Sequence, residues 1–258
     1  MSRSLVSAVY DQLHRFEAAS REQAYPIHKR LRLPEDQDVY DLIARSSAVP
    51  AGGLILDAGC GTGFGTMRIA AATGCHAHGI SLSAAEVAHA EAHALREGLA
   101  DQVSFSVASF DDPLDGTYDL VIAVESIKHS TALPQALRRL TDALHPGGAL
   151  MVVDDVLVGN ADQLLIDRIQ DSWALFRVYR DSDFQTAIPA QPPITEDLTD
   201  LVQRRSRADL WLRTTLLRLA SRIRRRNRPV YDIFRAGLDL ESLYRVGCMR
   251  YHMMSWRR

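Results

Sequence analysis

The chain has 258 residues, 47% hydrophobic and 24% charged, an ordinary globular composition that excludes disorder as the main state and supports one large core. No apolar run reaches the roughly 18–20 residues that span a bilayer, and Asp11 and His14 interrupt the short apolar stretch at the N-terminus, so a cytoplasmic protein without a signal peptide is expected. The net charge of −2 hides a split: residues 201–258 carry 15 basic and 4 acidic side chains, against 15 basic and 28 acidic before them.

Residues 1–50 read as a mostly helical cap. Residues 51–200 then alternate apolar runs with helical patterns, the signature of a parallel α/β sheet. A strand near Leu54–Leu56 enters a glycine-rich turn, followed by a helix from Phe64 to Ala72. A second strand covers His76–Ile80, after which Ser83 caps an alanine-rich helix to Leu95, with Glu86 completing a capping box. Val103–Val107 and Tyr118–Val124 supply two more strands, separated by a turn at Asp115-Gly116. Pro134 stands near the start of a helix to Leu144, which His145-Pro146-Gly147-Gly148 stops before a fifth strand at Ala149–Val153.

Ala161–Tyr179 reads as helix, Pro192–Thr195 as a sixth strand and Met249–Ser255 as the last. Residues 201–245 form a helical insertion, and residues 246–258 return to complete the core. Leu212, Leu216, Leu219 and Ile223 share one helical face, and Arg218, Arg222 and Arg226 another. The insertion is therefore an amphipathic basic cap, its apolar face expected against its own core. Cys60, Cys75 and Cys248 form no CxxC pair, so neither a disulfide framework nor a metal site is indicated.

The most informative stretch is Leu54-Ile55-Leu56-Asp57-Ala58-Gly59-Cys60-Gly61-Thr62-Gly63-Phe64-Gly65. A buried strand ends in a carboxylate and runs into a turn with glycine at alternate positions, where side chains would keep a ligand from the backbone. The dinucleotide fingerprint G-x-G-x-x-G fails, because its third glycine would be Phe64 or Thr66. Asp57 would also repel a pyrophosphate while attracting an ammonium group.

This pattern resembles motif I of the class I S-adenosylmethionine-dependent methyltransferases. The resemblance implies an α/β fold with a Rossmann-like seven-stranded sheet, helices on both faces and S-adenosyl-L-methionine as cofactor, its methionine part held by Asp57, Gly59, Cys60, Gly61 and Gly63. Gly79-Ile80-Ser81-Leu82-Ser83-Ala84-Ala85-Glu86 is similar to the G-I-x-L-S-x-x-Q segment of the small-molecule branch, which includes the rebeccamycin sugar O-methyltransferase and the cyclopropane fatty acid synthases. That places Ser81, Leu82 and Glu86 at the cofactor, although Glu86 as a plain helix cap is the alternative. Where the family commonly has an Asp for the adenine, Ala108 stands here; Ser109 substitutes, and Phe110 packs on the purine or in the core.

Glu125-Ser126-Ile127-Lys128-His129 follows the fourth strand and resembles the E-S-L-x-H segment of the same branch. The resemblance makes His129 a general base for a hydroxyl acceptor, supported by Asp154 or Asp155 after the fifth strand, with Glu125 beside it. Lys128 is expected to pair with an anionic acceptor or with Glu125, a solvated surface lysine being the alternative. Tyr25 and His28 occupy the place of residues that close over the cofactor, and Trp211 of the insertion is available to a greasy acceptor. A small-molecule acceptor and O-methylation follow, with C-methylation or cyclopropane-type chemistry on an alkene or prenyl diphosphate as the alternative. An RNA-binding methyltransferase or a non-catalytic cofactor-binding protein is less favoured: no Asn/Asp-Pro-Pro-aromatic motif follows the fourth strand. A homodimer stays open.

Overall fold

The burial of each strand follows from its composition. In the computed structural model, which describes residues 3–19, 31–34, 37–189, 191–223 and 228–258, the near-continuous apolar runs β1 (Leu54–Ala58), β4 (Tyr118–Val124) and β5 (Leu144–Leu157) occupy the sheet interior. Outside them lie β2 (His76–Ser81) and β3 (Val103–Val107) on one side, β7 (Met249–Arg257) and β6 (Ile194–Asp197) on the other. The order is β3-β2-β1-β4-β5-β7-β6, with β7 antiparallel to both of its neighbours. β6, exposed along its length, is the edge that the sheet can leave in water.

Alternate residues of the central strands serve two cores. Ile55, Ile122 and Val153 pack with Ile43 of α2 (Val39–Ser46), Ile69 of α3 (Phe64–Thr73), Ala90 of α4 (Ala84–Arg96), Ile169 of α6 (Gln163–Trp173) and Leu243 of α9 (Arg228–Arg245). Leu56, Val121 and Val152 pack on the other face with Leu137 of α5 (Leu133–Asp142) and Phe184 of α7 (Asp181–Gln185). Helix α1 (Arg3–Ala19) lies across α4 and α9, with Leu13 against Val230 and Ile233.

The expected seven-stranded α/β architecture is present, and four details differ. β5 is longer than expected at both ends: it starts at Leu144 rather than Ala149, running through His145-Pro146-Gly147-Gly148, and it continues past Val153 because β7 pairs with it as far as Leu157, so Asp154 and Asp155 lie within the strand. Helix α6 stops at Trp173, where Ala174 takes a left-handed conformation. β6 begins two residues late, at Ile194. The insertion is two helices, α8 (Arg207–Ile223) and α9, and it is α9 that supplies the buried face. No helix among the described residues is long and apolar enough to cross a membrane. Tyr25, His28 and Arg226 fall outside the described residues.

Candidate cofactor and transfer site

The glycine turn is shaped by its neighbours. The N–H groups of Gly59 and Cys60 both donate to the Ile80 carbonyl at 2.9 Å, which folds the turn back on β2. A Cβ at Gly59 would stand 2.3 Å from Ser126 Cβ, so the turn presses directly on the end of β4. Gly63, with φ +79°, caps α3 in a left-handed conformation that a side chain would resist. Gly61 alone in this turn faces room, since a Cβ there would meet only Glu86 Oε1, at 4.0 Å.

That room belongs to a cavity of about 860 Å³ at the carboxyl ends of β1, β2 and β4, where sheets of this kind bind ligands. Gly59, Cys60, Gly61, Ser81, Leu82, Glu86 and Phe110 line it, as does Ala108. Asp57 is fully buried behind the turn. Its Oδ2 accepts from the Thr66 hydroxyl at 2.7 Å while Oδ1 has no partner among the described residues, and burial pushes its carboxyl up to about 7. An orphaned buried carboxylate oxygen beside an open glycine cradle fits a ligand with a cationic end, as the aminoacyl group of S-adenosylmethionine has.

Glu86 departs from the expected capping box. Ser83 Oγ accepts from the Glu86 N–H at 3.1 Å, but the Glu86 carboxylate takes the Ser81 hydroxyl at 2.7 Å instead of returning to the cap. Ser81 Oγ accepts from the Ser83 N–H, so the cap is completed without Glu86 and its carboxylate stays on the cavity wall. Burial raises its affinity for a proton, opposed by the Ser81 bond. Ser109 is buried off the wall, where Oγ accepts from the Asp111 N–H at 3.1 Å and shapes the loop after β3.

The polar segment after β4 begins with Glu125 at φ +51°, a strained conformation for a residue with a side chain. Lys128 is buried, contrary to a surface lysine, and its Nζ lies 3.1 Å from Asp154, 3.4 Å from Asp155 and 3.7 Å from Glu125. Burial alone would lower its pKa, yet the three carboxylates outweigh that and hold it well above the ordinary lysine value. Burial pushes Asp154 up to about 6 against the pull of Lys128. Tyr244 donates to Asp155 and Tyr251 to Glu125 at 3.0 Å, and the Trp173 ring centroid lies 5.5 Å from Lys128 Nζ.

The expected aspartate support for His129 is therefore not formed: both carboxylates are engaged by Lys128. Instead the Tyr10 hydroxyl, from α1, lies 2.8 Å from His129 Nε2, and the buried Nδ1 has no partner among the described residues. Burial, assisted by the Lys128 charge, lowers His129 to about 3, so the ring is neutral at pH 7. Burial also raises the Tyr10 phenol well above its ordinary value. Asp11, next along α1, accepts from the Ser83 hydroxyl and ties the helix to the start of α4, beside Glu86 on the cavity wall.

Trp211 does not reach this site. It is 69% exposed on α8, away from the cavity wall. Tyr10, Tyr40, Tyr244, Tyr251 and Trp173 enter instead, from α1, α2, α9, β7 and α6, without a local sequence signal. A Cβ at Gly65 would sit 1.9 Å from the Tyr40 ring, so this glycine makes room for a side chain and not for a ligand.

Residues 51–208 match the family model described as a methyltransferase domain. The sterol 24-C-methyltransferase of Eremothecium gossypii is 32% identical over 124 residues, covering 47% of this chain and 33% of that enzyme. The 27-O-demethylrifamycin SV methyltransferase of Amycolatopsis mediterranei is 34% identical over 120 residues, covering 46% of this chain and 44% of that enzyme. The chain thus spans less than half the length of these two curated relatives. The geranyl diphosphate C-methyltransferase of Streptomyces coelicolor A3(2), solved with Mg2+, geranyl-S-thiolodiphosphate and S-adenosyl-L-homocysteine, shares the fold at a TM-score of 0.73 and 14% identity, over 99% of this chain and 97% of that one.

Proposed function

The chain belongs to the methyltransferase-domain family, and on that premise we propose that it transfers a methyl group from S-adenosylmethionine to a hydroxyl of a small, lipophilic acceptor. The observation that carries the oxygen acceptor is His129: a neutral imidazole on the cavity wall with Tyr10 on Nε2 and, among the described residues, no partner on Nδ1. S-adenosylmethionine, when bound, supplies an electrophilic methyl group on a sulfonium. Asp57, Gly59, Gly61, Glu86, Leu82 and Phe110 are the residues proposed to hold it.

The remaining roles belong to the side chains. His129 is a weak base in this setting, so it withdraws a hydroxyl proton only as that oxygen becomes positive in accepting the methyl group. Tyr10 fixes the ring through Nε2, leaving Nδ1 to receive the proton. Lys128 is charged and engaged by carboxylates, so it serves the site as a clamp on Asp154 and Asp155. Helix α1 roofs the cavity through Val6, Val9 and Tyr10, which limits water at the reacting groups.

A metabolite panel with labelled S-adenosylmethionine tests the reading directly. Replacing His129 by Ala is expected to lower kcat by roughly a hundredfold, the scale of general-base assistance, with cofactor affinity by calorimetry unchanged. An undiminished kcat removes His129 as base. A second reading, C-methylation of an alkene, draws on Glu125, whose carboxylate is held by Tyr251 at the cavity wall and is placed to take a proton from a carbocation. A product methylated at carbon, with turnover lost in Glu125→Gln but retained in His129→Ala, would select it.

A further inference from the structure

Helix α8 carries its apolar residues on the wrong side for a core element. Leu212, Leu216, Leu219 and Ile223 are 48%, 54%, 53% and 71% exposed, while Leu210 is the one buried residue of the helix. At 100° per residue these four form one stripe opposite Leu210. Arg207, Trp211, Arg218 and Arg222 form a second row beside it, and Arg213 stands on its other flank.

The charges say what would cover that stripe. Arg213 is paired with Asp209, but Arg207, Arg218 and Arg222 have no carboxylate partner among the described residues. Ten arginines and one acid lie between Leu201 and Arg228. A second copy docked on the stripe by a twofold axis would bring two such arginine rows together, which like-charge repulsion opposes. A nucleic acid would satisfy the arginines and leave the leucines in water. An anionic bilayer satisfies both, since leucines enter the acyl boundary while Arg and Trp lie at the headgroups.

We propose that α8 is an in-plane membrane anchor that docks the protein on anionic lipid. Asp209 and Arg213 of the same helix, and Phe234 of α9, line the cavity, so docking turns one wall of the cavity toward the bilayer. An acceptor dissolved in lipid could then enter without crossing water. This last step rests on the lipophilic acceptor proposed above; the docking itself does not.

The test uses the full chain and sedimentation with vesicles of phosphatidylcholine, with and without phosphatidylglycerol. The protein is expected to bind the anionic vesicles at least roughly tenfold more tightly, with binding weakened by salt. The variant Leu212→Ser/Leu216→Ser/Leu219→Ser should lose that binding while keeping the wild-type thermal melt, because its substitutions lie in solvent. Arg218→Gln/Arg222→Gln should lose the preference for the anionic lipid. Equal binding by the serine variant overturns the proposal. So does a wild-type dimer that the serine variant dissociates without any vesicle binding, or RNA binding in the absence of vesicle binding. Calorimetric binding of S-adenosylmethionine, measured alongside, reports separately on the methyltransferase reading.

Discussion

At the scale of the single residue, Asp57 carries a cost of buried charge. Its carboxyl holds a proton to about pH 7 when folded, against an ordinary value of 3.8, because burial penalises the charge more than the Thr66 hydroxyl compensates. Folding therefore takes up a proton: this contribution to stability is complete below about pH 4 and is lost as pH rises through about 7. Asp57→Asn is expected to stabilise the ligand-free protein at pH 8 by on the order of 3 kcal/mol in urea unfolding, and to flatten that pH dependence. On the proposed cofactor placement, the same variant should bind S-adenosylmethionine roughly tenfold more weakly, having lost a carboxylate proposed to attract the cofactor's ammonium. A stability gain over wild type no larger at pH 8 than at pH 5 would contradict a carboxyl that loses its proton near pH 7 in the fold. Asp57 and its glycines were legible because a local strand and turn contain the whole motif. Tyr10 and the Lys128 clamp were not, because they join residues far apart in the chain, and a lysine between a glutamate and a histidine reads equally well as a solvated one.

Elements meet closely at the glycine turn. The missing Cβ of Gly63 would lie 2.6 Å from Ala90 Cβ on α4 and 2.8 Å from the Phe105 ring on β3, at a φ of +79°. Gly74, which ends α3 at φ +69°, has nothing within 4 Å of the same position. Gly63→Ala is expected to cost about 2–5 kcal/mol, strain plus overpacking, while Gly74→Ala costs about 1–2 kcal/mol from strain alone, as read by urea unfolding. Equal costs would mean that α3 is free to shift. The central strands were legible because apolar runs such as Val121-Ile122-Ala123 must be covered on both faces. The orientation of α8 was not: periodicity reports that a helix has an apolar side, never which side meets the protein. Likewise β5 could not be followed past Val153, since Asp154 and Asp155 break the apolar pattern and only pairing with β7 keeps them in the strand.

Across the whole molecule, the division into acidic body and basic tail does not translate into a matching set of ion pairs. Acids within the tail bind arginines nearby, as Glu241 does with Arg205 and Arg245, and Asp239 pairs with Arg168 of the body; among the described residues the tail reaches acids of the body through Arg250 to Asp197 and His252 to Asp181, both on β7. What joins the tail to the body is instead β7, wedged between β5 and β6. The order of the sheet is therefore not the order of the chain, and β6 is attached only through a strand that follows α8 and α9. Until β7 arrives, β5 offers an unpaired edge along Leu150–Leu157, all of it destined for burial. Closing so long a loop is slow, and an apolar edge left waiting invites pairing between chains. Refolding from urea is expected to regain helical circular dichroism before S-adenosylmethionine binding, with yield falling as protein concentration rises; simultaneous recovery would contradict this order. Asp154 and Asp155 sit on that late-paired stretch, opposite His252 and Tyr251. The carboxylates that hold Lys128 at the cavity wall are thus in the part of the protein expected to be completed last, and a Lys128 clamped in place becomes a signature that assembly has finished.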